Sequence, residues 1–197
     1  MRQEEDFLRQ VYSELEALRG LLEAIPREEL VKLVGMAGII ARAIDGGHVV
    51  FTCGNGGSAA DAQHIAGELV GRFRKKSRGY RAFALTTNSS VVTALANDFS
   101  FGEIFSKQLE SSGSEGDVLL ALSTSGMSEN VLSAVMKANE IGMVSLAFSG
   151  KDGGTLSRSA SLSLVVPHDD FARIQEVHMT LGHILCGLVE EFVESVG

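Results

Sequence analysis

The stretch from His48 to Phe73, HVVFTCGNGGSAADAQHIAGELVGRF, constrains the fold of this chain more than any other. His48 to Cys53 is a short β-branched and apolar run bounded by Gly46-Gly47 and Gly54, which reads as a buried strand. Gly54, Gly56 and Gly57, with Asn55 among them, permit positive φ and let a ligand approach backbone N–H groups. Ser58 stands at the expected N-cap of a following helix, and Asp61 falls in its first turn, where the macrodipole favours an acid. Strand, glycine turn and helix N-terminus together make an anion site. On the helix, His64 and Glu68 are spaced to share one face. The loop is neither a Walker A loop nor a dinucleotide motif, because no Lys-Ser/Thr follows it and its glycine spacing differs. Taken alone, it is also readable as a tight structural turn, and the His/Glu pair as an exposed helical pair.

At 197 residues, with 45% hydrophobic content and 22 glycines, the chain is expected to be a single α/β domain spanning 1–197. A formal charge of −8 argues against nucleic-acid or anionic-membrane binding. The opening MRQEEDFLRQ is acidic where a signal peptide would be basic, and no apolar run reaches membrane-spanning length, so a cytoplasmic protein is expected. Cys53 and Cys186 have neither a disulfide-framework nor a zinc-knuckle spacing and read as core thiols.

Ahead of the first strand, Phe7, Leu8, Val11, Leu15, Leu18, Leu22 and Ile25 form a helical stripe, Pro26 breaks it, and Glu28 to Ile44 predicts a second helix. This pair, about 3–45, needs a partner surface, either the sheet or another subunit. Beyond the His64 helix, Arg72 to Arg81 carries six basic residues. It reads as a solvated connector, since no nucleic-acid fold signature accompanies it. Arg72 is the exception, ending the helix nearest the glycine loop and placed to reach an anionic substrate. Further strands are expected at Ala82–Thr86, Asp117–Ser123, Met143–Ser149 and Leu162–Pro167. Helices are expected at Ser89–Ala96, from Phe101, from Ser128 to Ile141, and from Phe171 to Val196, with Asn97-Asp98 a polar break and Gly153-Gly154 a turn.

This alternation implies a doubly wound, flavodoxin-like sheet of five parallel strands with helices on both faces. In the order 2-1-3-4-5, strands 1 and 3 meet at the topological switch point, and the loops after them are GNGGS and STSGMS. Hydroxyls of Ser58, Ser123, Ser125 and Ser128 would then converge with backbone N–H groups on one anion, a phosphate monoester of a small metabolite. On the last helix Gln175 and His183 lie within about 80° of each other at 100° per residue, while His178 points about 140° away from His183. Polar residues on core-facing helices, His64 with Glu68 and Gln175 with His183, require one another or a substrate.

These residues identify the chain as similar to phosphoheptose isomerases, a family of the sugar isomerase (SIS) fold group. The likeness runs from the paired N-terminal helices to the end. It rests on CGNGGSAADAQHIAGELVGRF, Asn97-Asp98-Phe99, DVLLALSTSGMSEN, Gly150 to Gly154, and ARIQEVHMTLGHILC. The resemblance implies a cytoplasmic homotetramer with active sites between subunits. It also implies aldose–ketose interconversion of sedoheptulose 7-phosphate and a glycero-manno-heptose 7-phosphate through an enediol. It further implies one zinc ion per subunit on His64, Glu68, Gln175 and His183, with Glu68 and His183 as the acid–base pair. The substrate would be held by Asn55, Gly56, Gly57, Ser58, Glu68, Arg72, Asn97, Asp98, Ser123, Thr124, Ser125, Ser128 and Gln175. Met127 stands where the family's STSGNS loop has Asn, and Phe171 where a small polar residue is common. Two other readings fit parts of this pattern: a noncatalytic SIS-domain regulator of replication initiation, which lacks the paired Glu and His, and an isomerase of another phosphosugar.

Overall fold

The structure is a computed structural model that describes residues 2–71, 73–74 and 79–196. Two helices, α1 (Arg2–Ala24) and α2 (Arg27–Asp45), precede a strand, β1 (Val50–Cys53), and the helix α3 (Gly57–Gly71). The chain continues through β2 (Ala82–Ala84), α4 (Ser89–Asp98), a 3₁₀ turn at Phe101–Glu103 and α5 (Ser106–Ser112). Next come β3 (Val118–Ser123), α6 (Glu129–Glu140), β4 (Val144–Gly150), α7 (Gly154–Ser159), β5 (Leu162–Val166) and α8 (Phe171–Val196). All strand pairs are parallel and their order is β2-β1-β3-β4-β5, as expected.

Each central strand is buried on both faces, and its alternate side chains feed two cores. Leu120, Leu122, Leu146, Phe148 and Leu164 pack with α2, α3 and α8, while Leu119, Ala121 and Ala147 pack with α5, α6 and α7. Leu119, Leu120 and Leu122 are all fully buried, which accounts for the unbroken apolar run of β3; each such side chain contributes about 1.5–3 kcal/mol. Cys53 and Cys186 are buried free thiols, as expected. No helix of the described residues is long and apolar enough to cross a membrane.

Several local expectations are corrected. Ser58 lies inside the first turn of α3 rather than at its N-cap, because Gly56 adopts φ +53 and the helix begins at Gly57. The helix expected from Phe101 is split by the 3₁₀ turn before α5, and α4 continues through Asn97 and Asp98. Gly153 turns left-handed (φ 86) and then starts α7 rather than a simple turn.

The stripe of α1 divides in two. Leu21 and Ile25 are buried, whereas Phe7, Val11 and Leu15 are 60%, 54% and 57% exposed. Arg173 of α8 holds the middle of α1 by donating to the Glu14 carbonyl at 2.9 Å. At the outer edge of the sheet, Glu29 of α2 is buried and accepts from the Val165 N–H of β5 at 2.8 Å, with Lys32 paired to its other oxygen at 2.7 Å. This carboxylate satisfies an edge N–H that would otherwise lack a partner. Glu29→Ala should lower unfolding free energy by about 1–3 kcal/mol, read from denaturant midpoints at constant slope.

Candidate active site

The β1–β3 pairing sets GNGGS beside STSGMS at the carboxyl end of the sheet. A reciprocal amide pair joins the two loops. The Asn55 amide donates to Asn130 Oδ1 at 2.7 Å, and the Asn130 amide donates to Asn55 Oδ1 at 2.8 Å. Asn130 is buried in the first turn of α6 and was not singled out from the sequence, although it closes the motif DVLLALSTSGMSEN.

Ser128 is the N-cap of α6, yet its hydroxyl makes no capping bond and lies 3.0 Å from Ser123 Oγ. Ser125 Oγ is 3.3 Å from the same oxygen and accepts from the Met127 N–H. Three hydroxyls thus gather beside the N-terminus of α6, close to that of α3, with Ser58 buried in the latter's first turn. The Thr124 carbonyl oxygen packs so closely on Gly150 that a Cβ there would collide with it. Met127 turns away, its sulfur accepting from the N–H and hydroxyl of Thr155 at 3.3 and 3.5 Å. It therefore ties the loop to α7 instead of supplying a polar group to the cradle.

The second half of the site lies between α3 and α8. His64 Nε2 is 3.0 Å from Glu68 Oε1 and 2.9 Å from His183 Nε2, and one donor atom of each residue lies within 4.8 Å of the others. His64 Nε2 carries at most one proton and so cannot donate to both neighbours. Two imidazole nitrogens and a carboxylate oxygen converging in this way are electron-pair donors facing one another, an arrangement that a cation relieves.

Gln175, two turns before His183 on α8, meets a different set of groups. Its amide lies beside the Asp61 carboxyl and so close to Gly57 that a Cβ there would collide with it. Asp61 is buried, and its Oδ2 has no partner among the described residues. Burial pushes its carboxyl up to about 6, against the opposing pull of His64 and of the Gln175 amide. Asp61, Gln175, Glu176, Met179 and Phe171 line a cavity of about 390 Å³ beside the cluster. Sequence reasoning noted Asp61 only as a first-turn acid, although its i, i+3 spacing to His64 puts both on one face.

The remaining expected residues are less closely joined. Asn97 and Asp98 sit exposed at the end of α4 and bond each other at 2.9 Å, and among the described residues no hydrogen bond links them to the serines. Arg72 and residues 75–78 of the basic run lie outside the described residues.

A family model described as SIS domain matches residues 15–150. A phosphoheptose isomerase of Aquifex aeolicus is 51% identical over 162 residues, covering 82% of this chain and 85% of that protein. One from Geobacter metallireducens is 45% identical over 182 residues, covering 92% and 96% respectively. The solved phosphoheptose isomerase from Neisseria gonorrhoeae superposes with a TM-score of 0.88 at 36% identity, covering 94% of this chain and 99% of that one.

His178, as expected, stays out of the cluster: it is fully buried, and its Nε2 lies 3.2 Å from the Ser149 carbonyl oxygen. Burial pushes its imidazole from 6.5 down to about 4, against the bond to Ser149. Between those values the unfolded chain binds a proton that the folded one does not, so this contribution to stability is full above 6.5 and lost as pH falls toward 4. His178→Gln should therefore flatten the acid side of the stability profile relative to wild type, measured as denaturant midpoints across that window.

Proposed function

This chain belongs to the phosphoheptose isomerase family of SIS-domain proteins, and on that premise we propose that it interconverts sedoheptulose 7-phosphate and D-glycero-D-manno-heptose 7-phosphate. The observation that carries the reading is the pairing of a hydroxyl-lined cradle at two helix N-termini with a carboxylate–imidazole cluster on the adjacent α3 and α8. The first part suits a phosphate monoester, and the second suits proton transfer on the sugar it anchors.

Moving a proton between C2 and C1 through an enediol needs a base at the carbon and a group that serves the oxygens. Glu68 is assigned the carbon-bound proton and His183 the C1 side. Their closeness through His64 supports this division, since a carboxylate and an imidazole that share a neighbour can exchange a proton over a short path. Asn55, Gly56, Gly57, Ser58, Ser123, Thr124, Ser125 and Ser128 are assigned to the phosphate, and Gln175, with Asn97 and Asp98, to the sugar hydroxyls.

The cluster also fits a zinc ion, one per subunit. Two imidazole nitrogens and a carboxylate oxygen within 4.8 Å of one another are the donor types such a site uses, with Gln175 the proposed fourth. When bound, zinc would polarise the substrate carbonyl and hold the ligands in register. The exposed half of the α1 stripe supports a homotetramer with active sites between subunits, and the buried free thiols support a cytoplasmic setting.

Glu68→Gln should abolish conversion of sedoheptulose 7-phosphate, followed by appearance of the aldose phosphate. Ser125→Ala should raise KM about tenfold with kcat nearly unchanged, since it removes ground-state binding. Full activity of Glu68→Gln would remove the acid–base assignment. In a panel of pentose, hexose and heptose phosphates, preference for a hexose would count against the heptose substrate.

A further inference from the structure

We infer that Phe73 and Glu190 form a latch that positions His183, a role that rests on the catalytic reading of His183 given above. The Phe73 ring lies flat on the His183 imidazole, with centroids 5.6 Å apart and planes inclined by 14°. His64 meets His183 edge-on at 4.9 Å. The imidazole is thus held between a flat face and an edge, which restricts rotation about its χ2 and keeps Nε2 directed at His64 Nε2, 2.9 Å away.

Phe73 is held in its turn by Glu190. This carboxylate is buried on α8, about two turns beyond His183 and so on nearly the same face. Its Oε1 accepts from the Phe73 N–H at 3.0 Å, and its Oε2 accepts from the Arg74 N–H at 3.1 Å. A buried carboxylate without partners is strongly disfavoured, and these N–H groups satisfy it. The Arg74 guanidinium adds a cation–π contact, 4.9 Å from the Phe73 centroid.

The latch therefore joins the chain just after α3, which carries His64 and Glu68, to α8, which carries His183. A buried acid placed solely to cap a chain end would have no need of an aromatic residue beside it. Here the capped residue is the one whose ring covers the imidazole. Phe73 and Glu190 act through His183 and are positioning residues, on segments other than those that carry Ser58, Ser123, Ser125 and Ser128.

The test compares wild type with Phe73→Leu, Phe73→Tyr and Glu190→Gln. Phe73→Leu keeps apolar bulk but loses the flat face, and should lower kcat by about tenfold to a hundredfold. KM for sedoheptulose 7-phosphate and the thermal midpoint should stay near wild type, and Phe73→Tyr should restore kcat. Glu190→Gln replaces one acceptor oxygen with a donor and should lower kcat by a smaller factor. A second readout is independent of turnover: in ¹³C-histidine-labelled protein the His183 Cε1–H resonance should be shifted by the Phe73 ring current in wild type and move in Phe73→Leu. Wild-type kcat with an unmoved His183 resonance in Phe73→Leu would overturn the latch, as would parallel losses of kcat and thermal midpoint that Phe73→Tyr does not repair. If wild type itself fails to convert the ketose, the substrate assignment falls, and the resonance still decides whether Phe73 holds His183.

Discussion

Parallel pairing of β1 with β3 is the constraint on which the site depends. With these strands adjacent and the order reversing between them, the chains leaving their carboxyl ends diverge to opposite faces of the sheet and leave a crevice. The N-termini of α3 and α6 both open into it. Neither loop could cradle a phosphate alone, since one supplies glycines and Ser58 and the other supplies the three exchanging hydroxyls. The Asn55–Asn130 amide pair fixes their separation, each amide spending one N–H and one oxygen lone pair on the other and keeping a second N–H.

A different contact, α3 on α8, builds the chemical half. Helices packed side by side normally interdigitate apolar residues, and Ile65, Ala66, Leu69, Val177, Leu181 and Leu185 do so here. One step around α3 from that seam, His64 and Glu68 meet His183 at its rim. The apolar seam thus supplies the rigidity, and the polar rim uses it. Asp61 extends the rim toward Gln175 and the cavity that both line.

How much of this was legible in the sequence follows from the range of the forces involved. Buried strands announce themselves as apolar runs, and glycine turns as breaks, because both are dictated by a few neighbouring residues; the alternation of elements implied a parallel sheet, and the order 2-1-3-4-5 was the doubly wound arrangement supposed for it. His64 with Glu68 was readable from helical spacing. The Asn55–Asn130 pair and the Phe73–Glu190 bonds join residues 75 and 117 positions apart, and nothing in the local pattern of either partner reports the other. Ser58 was misplaced by two positions because Gly56 takes a positive φ that starts the helix at Gly57, a choice that belongs to the packed turn and not to capping preference. Asn97-Asp98 read as a break because both residues are poor helix formers, yet α4 carries them through.

The surface of the single chain raises a physical question that the proposed assembly answers. An enediol is best protected when water is excluded, yet His64 is exposed, and Phe171 beside the cavity is 70% exposed. No side chain of α4 is buried, and Phe99 and Phe101 after it are open as well. Exposed apolar side chains of this kind are what a second protomer would bury. If a second copy covers the open half of the α1 stripe, the same association can cover the mouth of the site. Stability and catalysis would then share one dependence on protomer concentration, because the contact that buries apolar surface also completes the chamber.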